Sequence, residues 1–454
     1  MKVCKFGGTS LASAEQIRKA CEIILADTDR KVMVVSAPGK RYKSDIKMTD
    51  LLISLADESL KGGAFQPVLD EITGRFDQIS RDLGLDGSIL ETIREDLTKR
   101  LAMDKSDAGR YMDSMKAAGE DNSAKLVASY FQSLGHNARY IDPLEAGMLL
   151  TEECGNAQVL PVSYENLSKL STLDGILVFP GFFGYTESGC LVTFPRGGSD
   201  ITGSILTAAL KADVYENFTD VDAVFVANPN VVTDPEPMRS VTYREMRELS
   251  YGGFSVLHEE TIAPVRKAGI PVNIRNTNRP EAPGTLIVSH REQVRPGEVA
   301  GIACDSGFCT IYLSKYMMNR EIGFGRKLLQ IIEDEGLSYE HMPSGIDDIS
   351  LILREKNFTP EVESRVIARI RNELQADSVE VQHHMALLLV VGEGMQHAVG
   401  MAARATGALA RAKINLEMIN QGSSEISMMF GIKTQDADDA VRVLYNEFFG
   451  RKSA

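Results

Sequence analysis

The sequence is poor in cysteine and contains no Cys-x-x-Cys pair. Its 454 residues include six cysteines, all separated from one another. The lack of paired cysteines argues against a zinc site, and we expect no dedicated metal site of any kind. Isolated cysteines in strand and helix patterns are typical of core residues in a reducing compartment. We therefore expect a cytoplasmic protein with these residues in its core: Cys4, Cys21, Cys154, Cys190, Cys304 and Cys309.

Long apolar runs and an excess of positive charge are also missing. No stretch approaches the roughly 20 apolar residues of a membrane-spanning helix, and the first residues have the pattern of a strand rather than of a signal peptide. Acidic residues outnumber basic ones by 63 to 49, which gives a net charge of −14. Nucleic acids and anionic membranes would repel such a chain. We therefore expect neither as a partner.

The chain has the composition of a globular protein and is long enough for two to four domains. Short apolar strands alternate with helical segments, which predicts an α/β domain with a central, mostly parallel sheet between helices. The predicted strands are 3–6, 31–37, 138–141, 175–180, 190–194, 212–218 and 271–275. The predicted helical segments are 12–25, 51–60, 64–135 with breaks at Gly84, Asp86-Gly87 and Gly119, 201–211, and 242–268. The basic segment 39–47 is predicted as a mobile loop.

Two glycine turns carry the main functional signal. Residues 1–25 have the order strand, Gly7-Gly8, helix, and Lys5 is the last charge before the turn. Adjacent glycines let a ligand approach the backbone, and the amides at a helix start favour an anion such as phosphate. A tight turn beside a surface lysine would give the same local pattern. The matching stretch Arg196-Gly197-Gly198-Ser199-Asp200 favours the phosphate-binding interpretation.

The opening motif Lys5-Phe6-Gly7-Gly8-Thr9-Ser10 resembles the signature of the aspartate kinases, in the amino-acid kinase superfamily. Further motifs resemble this family in the same order along the chain. They are Val34-Val35-Ser36-Ala37, Met48-Thr49-Asp50-Leu51-Leu52, Gly119-Glu120, Gly181-Phe182, Arg196 to Asp200 and Thr219-Asp220-Val221-Asp222. The ordered set is more specific than any one motif, and it implies the amino-acid kinase fold.

The last third of the chain contains an internal repeat. A shift of 77 residues places Gly323 on Gly400 and Ser350 on Ser427, and each copy has the pattern of a small α+β module. The pair resembles the tandem ACT domains, of ferredoxin-like fold, that follow the kinase domain in this family. The expected domains are 1–290 for the kinase and 306–378 and 383–454 for the two ACT-like modules, with strand 299–304 a candidate for sharing with the second module.

The resemblance implies phosphoryl transfer from ATP to the side-chain carboxylate of L-aspartate. The product is 4-phospho-L-aspartate, in the first step of lysine, threonine and methionine biosynthesis. A carboxylate is already ionised at neutral pH, so no general base is needed. The reaction requires alignment and neutralisation of the moving phosphoryl group. The residues expected to supply this are Lys5, Asp200 and Arg196, with magnesium held through the phosphates and water.

Aspartate carries an ammonium group and two carboxylates, and two residues of the family pattern complement these charges. Arg196 can hold a carboxylate in a bidentate manner. Glu120, which follows Gly119 at a predicted helix start, can pair with the ammonium group. Taken singly, each of these residues is better explained by an ordinary loop or helix position, but the ordered set favours substrate binding. The residues expected at the aspartate site are Ser36, Thr49, Glu120, Phe182, Arg196 and Ser199.

The nucleotide end departs from the family pattern. The residues expected there are Lys5, Gly7, Gly8, Thr9, Thr219, Asp220, Phe225 and Asn230. Four positions differ from the usual residues of the family. Phe225 replaces a tyrosine, Asn228 replaces an aspartate, Asn230 replaces a basic residue and Ser255 replaces a lysine. The loss of two positive charges predicts that ATP binds more weakly, or that other cationic groups such as Arg266 or Lys40 bind its phosphates instead. We expect a higher Michaelis constant for ATP than in relatives that keep both charges.

The ACT-like pair implies feedback regulation by an amino acid. Lysine is the favoured effector and threonine the alternative, and Glu340 can pair with the ammonium group of either. Core packing explains the apolar members of the expected site equally well. The residues expected at the effector are Met318, Glu321, Phe324, Gly325, Ser338, Tyr339, Glu340 and Ser344. ACT-like sheets tend to pair at their edges, so a homodimer or larger homo-oligomer is expected.

Two other functions stay open on the sequence alone. One is a kinase for another small amino acid, which the combination of Glu120 with Arg196 disfavours. The other is a non-catalytic amino-acid sensor derived from a kinase, which the retention of Lys5 and Asp200 disfavours.

Overall fold

The structure is a computed structural model that describes residues 1–254 and 259–450. In this described part, no helix combines the length and apolar character needed to cross a membrane. The residues form two compact units. The first contains residues 1–224, 237–243 and 259–291, and the second contains 225–236, 244–254 and 292–450.

The first unit is built on a large sheet whose strands are mostly parallel. The strands of this part of the chain are β1 Lys2–Phe6, β2 Arg30–Val35, β3 Ala138–Tyr140, β4 Ile176–Pro180, β5 Phe183–Tyr185, β6 Leu191–Thr193, β7 Val214–Thr219, β8 Ser240–Thr242, β9 Val272–Asn276 and β10 Thr285–Val288. Eight of them form one sheet in the order β3-β4-β2-β1-β7-β9-β10-β8, and β5 and β6 form a separate hairpin. Neighbours in the large sheet run parallel except β9 and β10. The predicted α/β fold is confirmed.

The position of β1 beside β7 prepares the functional site. Both strands lie in the middle of the sheet and run in the same direction, with Lys5 opposite Asn217. Parallel strands place their carboxyl ends at one edge of the sheet, where ligands of such folds bind. The Gly7-Gly8 turn after β1 and the Thr219-Asp220 pair at the end of β7 therefore share this edge.

Helices pack around the sheet, and their starts follow local capping signals. The helices of the first unit are α1 Ala14–Leu25, α2 Met48–Leu60, α3 Gln66–Asp82, α4 Ser88–Leu101, α5 Ala108–Ser133, α6 Pro161–Ser168, α7 Gly198–Ala209 and α9 Ala263–Ala268, whereas α8 Tyr243–Tyr251 belongs to the second unit from its second residue on. Ser13 caps α1 by accepting a hydrogen bond from the Gln16 amide. Asp107 caps α5 in the same way from the Arg110 amide. Such caps satisfy amides that have no partner within the helix.

The predicted helix break at Gly119 is wrong. Helix α5 continues through Gly119 and Glu120, so Glu120 lies in the interior of a helix rather than at its start. A Cβ added at Gly119 would lie 2.7 Å from the Cβ of Ala37, which follows β2. Glycine at this position therefore serves the close approach of α5 to the end of β2, and this contact brings Glu120 to the same sheet edge.

The second unit contains an antiparallel sheet. Its strands are β11 Gly301–Ser314, β12 Tyr339–His341, β13 Asp348–Arg354, β14 Ser378–Val391, β15 Met418–Asn420 and β16 Ser427–Lys433. The order is β12-β13-β11-β14-β16-β15. Its remaining helices are α10 Phe324–Asp334, α11 Pro360–Leu374, α12 Met401–Arg411 and α13 Ala437–Phe448. The sequence repeat therefore corresponds to two successive β-α-β-β-α units.

One strand serves both repeats. Strand β11 pairs with β14 from Gly301 to Ser314. Its first part contributes Ile302 to the core that contains α12 and α13, whereas Ile311 packs in the core of α10 and α11. The segment 299–304 and the start of the first repeat are thus one continuous strand, although the exact domain bounds stay a prediction.

The cysteines are unpaired but do not all lie in the core. Cys154 is exposed, whereas Cys190 and Cys304 are half-buried. The expectation of a buried position holds for Cys4, Cys21 and Cys309.

Candidate functional site

A cavity of about 650 Å³ opens between the two glycine turns in the first unit. It contains most of the residues that the sequence assigns to the aspartate and nucleotide sites. The predicted residues that line it are Lys5, Gly7, Gly8, Thr9, Ser36, Thr49, Glu120, Phe182, Arg196, Ser199, Asp200, Thr219 and Asp220. The fold therefore gathers residues from the ends of β1, β2, β4 and β7 and from three helices.

Lys5 is held by a carboxylate from the second glycine turn. Its Nζ lies 2.6 Å from Oδ1 of Asp200, which stands in the first turn of α7. The Asn217 side chain donates a hydrogen bond to the same carboxylate oxygen at 2.8 Å. Asn217 is buried, and its own Oδ1 has no hydrogen-bond partner within the described chain. Asn217 is a site residue that the motifs do not include, and its signal in the sequence is a polar residue beside Glu216 in an otherwise apolar strand.

The glycines of both turns are required by close backbone contacts. A Cβ added at Gly8 would lie 3.0 Å from the Ala37 carbonyl oxygen. Gly197 has φ +83°, in the left-handed region that favours glycine, and it caps the start of α7. A Cβ on Gly198 would lie 2.5 Å from the Phe182 ring. The start of α7 and the turn after β1 both line the cavity, and a helix start favours an anion.

Glu120 is a buried carboxylate in this cavity. Its side chain is 5% exposed, and Oε2 has no hydrogen-bond partner among the described residues. Burial raises its pKa to about 8, and the Ala37 amide and the charge of Lys5 reverse only part of this effect. A buried carboxylate with an unpaired oxygen is a poor structural element and a good site for a cationic ligand group.

Arg196 and Phe182 also line this cavity. Arg196 is exposed and forms no ion pair within residues 1–254 and 259–450. Phe182 has φ 78°, which is rare for a bulky residue and is often found at functional sites. Its amide donates to Thr202 Oγ1 at 3.0 Å, and its carbonyl accepts from the Phe194 amide at 2.9 Å. These two bonds hold the ring between the turns.

Two predicted nucleotide residues belong to the other unit. Phe225 and Asn230 lie in the segment 225–236, which contributes Ala227 and Val232 to a core of the second unit. Neither is among the residues that line the cavity. Ser255 lies outside the described residues. The roles of these positions in nucleotide binding stay predictions.

The predicted effector residues occupy two stretches of the second unit that approach each other. A Cβ on Gly325 would lie 3.8 Å from Met342. Met318 and Phe324 are buried in one core, as the packing interpretation requires. The residues of the second stretch, Ser338, Tyr339, Glu340 and Ser344, lie on and around β12.

The acidic members of this set already have partners. Glu321 lies 2.5 Å from Lys315 and 2.8 Å from Lys327. Glu340 accepts hydrogen bonds from Tyr251 at 2.7 Å and from Arg354 at 3.2 Å. An ammonium group that bound at either carboxylate would compete with these contacts.

Comparison with known families defines the class of the protein. The model of the amino acid kinase family matches residues 1–276, and that of an ACT domain matches residues 388–448. The first match includes every residue that lines the cavity, and the second lies within the second unit.

Individual relatives narrow this class. The chain is 55% identical over 449 residues to aspartokinase 3 of Bacillus subtilis, with 99% of each chain covered. The crystal structure of Clostridium acetobutylicum aspartate kinase, described as an allosteric enzyme, aligns with a TM-score of 0.88 at 38% identity and covers 99% of this chain and 100% of its own. E. coli aspartokinase III, solved with aspartate and ADP, has the same fold, with a TM-score of 0.74 at 24% identity over 99% of this chain and 100% of its own.

The chain therefore belongs to the aspartokinases, an enzyme family within the amino-acid kinases. The family resemblance of its motifs, the kinase fold with ACT modules and the assignment as a kinase are confirmed.

Proposed function

We propose that this enzyme transfers the γ-phosphoryl group of ATP to the side-chain carboxylate of L-aspartate. The observation that carries the proposal is the convergence of Lys5, Glu120 and Arg196 on one cavity with two glycine turns. A carboxylate oxygen of aspartate attacks the γ-phosphorus, and the bond to the β–γ bridging oxygen breaks. The products are 4-phospho-L-aspartate and ADP, and no proton is transferred.

The nucleotide phosphates lie at the glycine turns in this proposal. The Gly7, Gly8 and Thr9 backbone faces the cavity beside Lys5, whose orientation is fixed by Asp200. A positioned ammonium group and oriented amides can stabilise the charge that develops on the phosphoryl group. Magnesium fits through the phosphates and water, because the carboxylates of Asp200 and Asp220 line the cavity and can accept from bound water. The ADP found in E. coli aspartokinase III supports ATP as donor.

The substrate aspartate lies between opposite charges. Arg196 holds a carboxylate of the substrate, and Glu120 accepts hydrogen bonds from its ammonium group. Two observations support this orientation. Among the described residues, Oε2 of Glu120 has no hydrogen-bond partner and the guanidinium group of Arg196 has no ion-pair partner. Ser36, Thr49, Phe182 and Ser199 complete the proposed pocket.

Lysine is the proposed feedback inhibitor, with threonine as the alternative, at the ACT-like modules 306–378 and 383–454. E. coli aspartokinase III has been solved in complex with lysine and aspartate, which supports lysine. The enzyme is proposed to act as a homodimer or larger oligomer in the cytoplasm, in the pathway to lysine, threonine and methionine.

A coupled assay for ADP release tests the reaction. With ATP and magnesium, we expect turnover with L-aspartate and at most a small rate with L-glutamate, which is one methylene longer. Lys5→Ala should lower kcat by about 100-fold or more, whereas the exposed Lys31→Ala should leave it unchanged. Preference for glutamate would favour the kinase for another amino acid. Amino-acid binding without ADP release would favour the sensor.

Titration with lysine and threonine, alone and together, tests the regulation. Lysine is expected to raise the half-saturating concentration of aspartate, with a coupling of typically about 5–150-fold. If threonine inhibits and lysine does not, threonine is the effector.

A further inference from the structure

The segment between β2 and α2, predicted as a mobile loop, makes specific contacts with the helical layer of the first unit. Residues 40–47, here called the basic loop, contain Lys40, Arg41, Lys43 and Lys47 in eight positions. They have no regular secondary structure, but the loop encloses a buried carboxylate, Asp45.

Asp45 binds two guanidinium groups. It accepts hydrogen bonds from the Arg41 amide at 2.9 Å and from Arg41 Nε at 2.8 Å and Nη2 at 2.9 Å. Arg75, on α3, donates to Asp45 at 2.8 Å and to the Ile46 carbonyl oxygen at 2.6 Å. The bonds from Arg41, together with Arg75, hold the pKa of Asp45 well below its usual range despite burial. Asp45 is therefore charged at any working pH and anchors the loop to the helical layer.

Both ends of the basic loop are fixed beside the first glycine turn. The Gly39 amide donates to the Gly8 carbonyl oxygen at 2.8 Å, and a Cβ on Gly39 would lie 2.5 Å from the Gly8 carbonyl carbon. The Met48 amide donates to the Pro38 carbonyl oxygen at 3.3 Å. Lys40 thus follows the backbone contact with the turn directly, and Lys47 is the residue at the N-terminus of α2.

The loop adds two cations to the cavity. Lys40 and Lys47 line the cavity together with Lys5, whereas Lys43 does not. Lys5 is already paired with Asp200. Lys40 and Lys47 form no ion pair within the described chain. A nucleoside triphosphate carries about four negative charges, of which a bound magnesium ion offsets about two, so cations besides the paired Lys5 are favoured.

We propose that Lys40 and Lys47 bind the polyphosphate of the nucleotide and that Asp45 is the positioning residue that holds the basic loop over it. This inference rests on the proposed function, because it assigns the phosphates to the same cavity. It commits both lysines to the nucleotide rather than to the amino-acid substrate.

Lysine truncation tests the binding role, with a matched control on the same loop. Lys40→Ala and Lys47→Ala are each expected to raise KM for ATP about tenfold, because each removes a charge-assisted hydrogen bond to phosphate. The double variant should raise it about 100-fold. KM for aspartate should stay within about twofold, and Lys43→Ala should change neither constant. An unchanged KM for ATP in the double variant, or an equal effect of Lys43→Ala, would overturn the proposal. A rise in KM for aspartate alone would place the lysines at the other substrate.

Direct binding of magnesium ADP, measured by calorimetry without aspartate, separates this inference from the proposed function. Weaker ADP binding in the double variant supports the inference even if the wild-type enzyme does not phosphorylate aspartate. Normal ADP binding by the double variant of an enzyme that phosphorylates aspartate refutes the inference alone.

The positioning role requires that Asp45 act through the two lysines. Asp45→Asn should raise KM for ATP in the wild-type background and have no further effect when both lysines are alanine. Asp45→Glu should recover part of the loss. An equal effect of Asp45→Asn in both backgrounds would contradict positioning. If Asp45→Asn fails to fold, Arg41→Ala, which removes the exposed partner of Asp45, is tested in the same two backgrounds with the same decisive comparison.

Discussion

Replacement of Glu120 by glutamine should make the protein more stable and the enzyme much less active. In the folded state, burial raises the pKa of this carboxyl to about 8, compared with a usual value of 4.5. The folded state therefore favours the protonated form, and ionisation above pH 4.5 costs stability until the pH passes 8. The cost grows by about 1.4 kcal/mol per pH unit, which reaches a few kcal/mol at pH 8. Glutamine is neutral and of the same shape, so it removes this cost.

The expected signature is a pH-dependent difference in the free energy of unfolding. Urea denaturation at pH 5 should give similar values for the wild-type protein and Glu120→Gln. At pH 8 the variant should be more stable by a few kcal/mol, without ligands. Glu95→Gln, an exposed change on α4, controls for general effects of charge removal and should show no such difference.

Activity should change in the opposite direction. The proposed partner of Glu120 is the ammonium group of aspartate, so productive binding requires the ionised carboxylate. The wild-type kcat/KM for aspartate should rise about tenfold per pH unit from pH 6 and level off near pH 8. Glu120→Gln should lower the plateau by about 10–100-fold and abolish this rise. A flat wild-type profile from pH 6 to 9, or a variant with unchanged kcat/KM, would refute the reasoning.

Three further changes test other contacts. Gly8→Ala places a methyl group 3.0 Å from the Ala37 carbonyl oxygen, and it should reduce kcat/KM for ATP about 100-fold with a circular dichroism spectrum like that of the wild type. Asn217→Ala removes the bond that orients Asp200, and steady-state kinetics should show a kcat lower by about tenfold with little change in either KM. Glu216→Gln removes the negative charge of a buried carboxylate that pairs with Arg30 at 2.6 Å and Arg275 at 2.8 Å. Because two arginine charges then lack their partner, the free energy of unfolding measured in urea should fall by about 3–5 kcal/mol.

The sequence predicted the parts of the site that depend on local pattern. The strand, glycine and helix order around Lys5 and the repeated motif at Arg196 both end at one sheet edge, because parallel strands share the direction of their carboxyl ends. Ordered motifs therefore sufficed to place these residues in one cavity.

The errors came from contacts between distant residues. Gly119 has the appearance of a helix breaker, but its role is set by contact with Ala37, more than 80 residues away. The composition of the basic loop gives no sign of the bond from Arg75 to Asp45, 30 residues away. Asn217 stands out as a polar residue in its strand, but the strand pattern does not identify Asp200 as its partner. None of these contacts has a local signature.

The most direct test of the central claim is identification of the phosphorylated group. Incubation with ATP, magnesium, L-aspartate and hydroxylamine converts an acyl phosphate to a hydroxamate, which mass spectrometry can assign to one of the two carboxylates of aspartate. The account predicts the side-chain hydroxamate, formed only with ATP present and strongly reduced in Lys5→Ala. Formation of the α-carboxyl hydroxamate, or of none while both substrates bind, would contradict it.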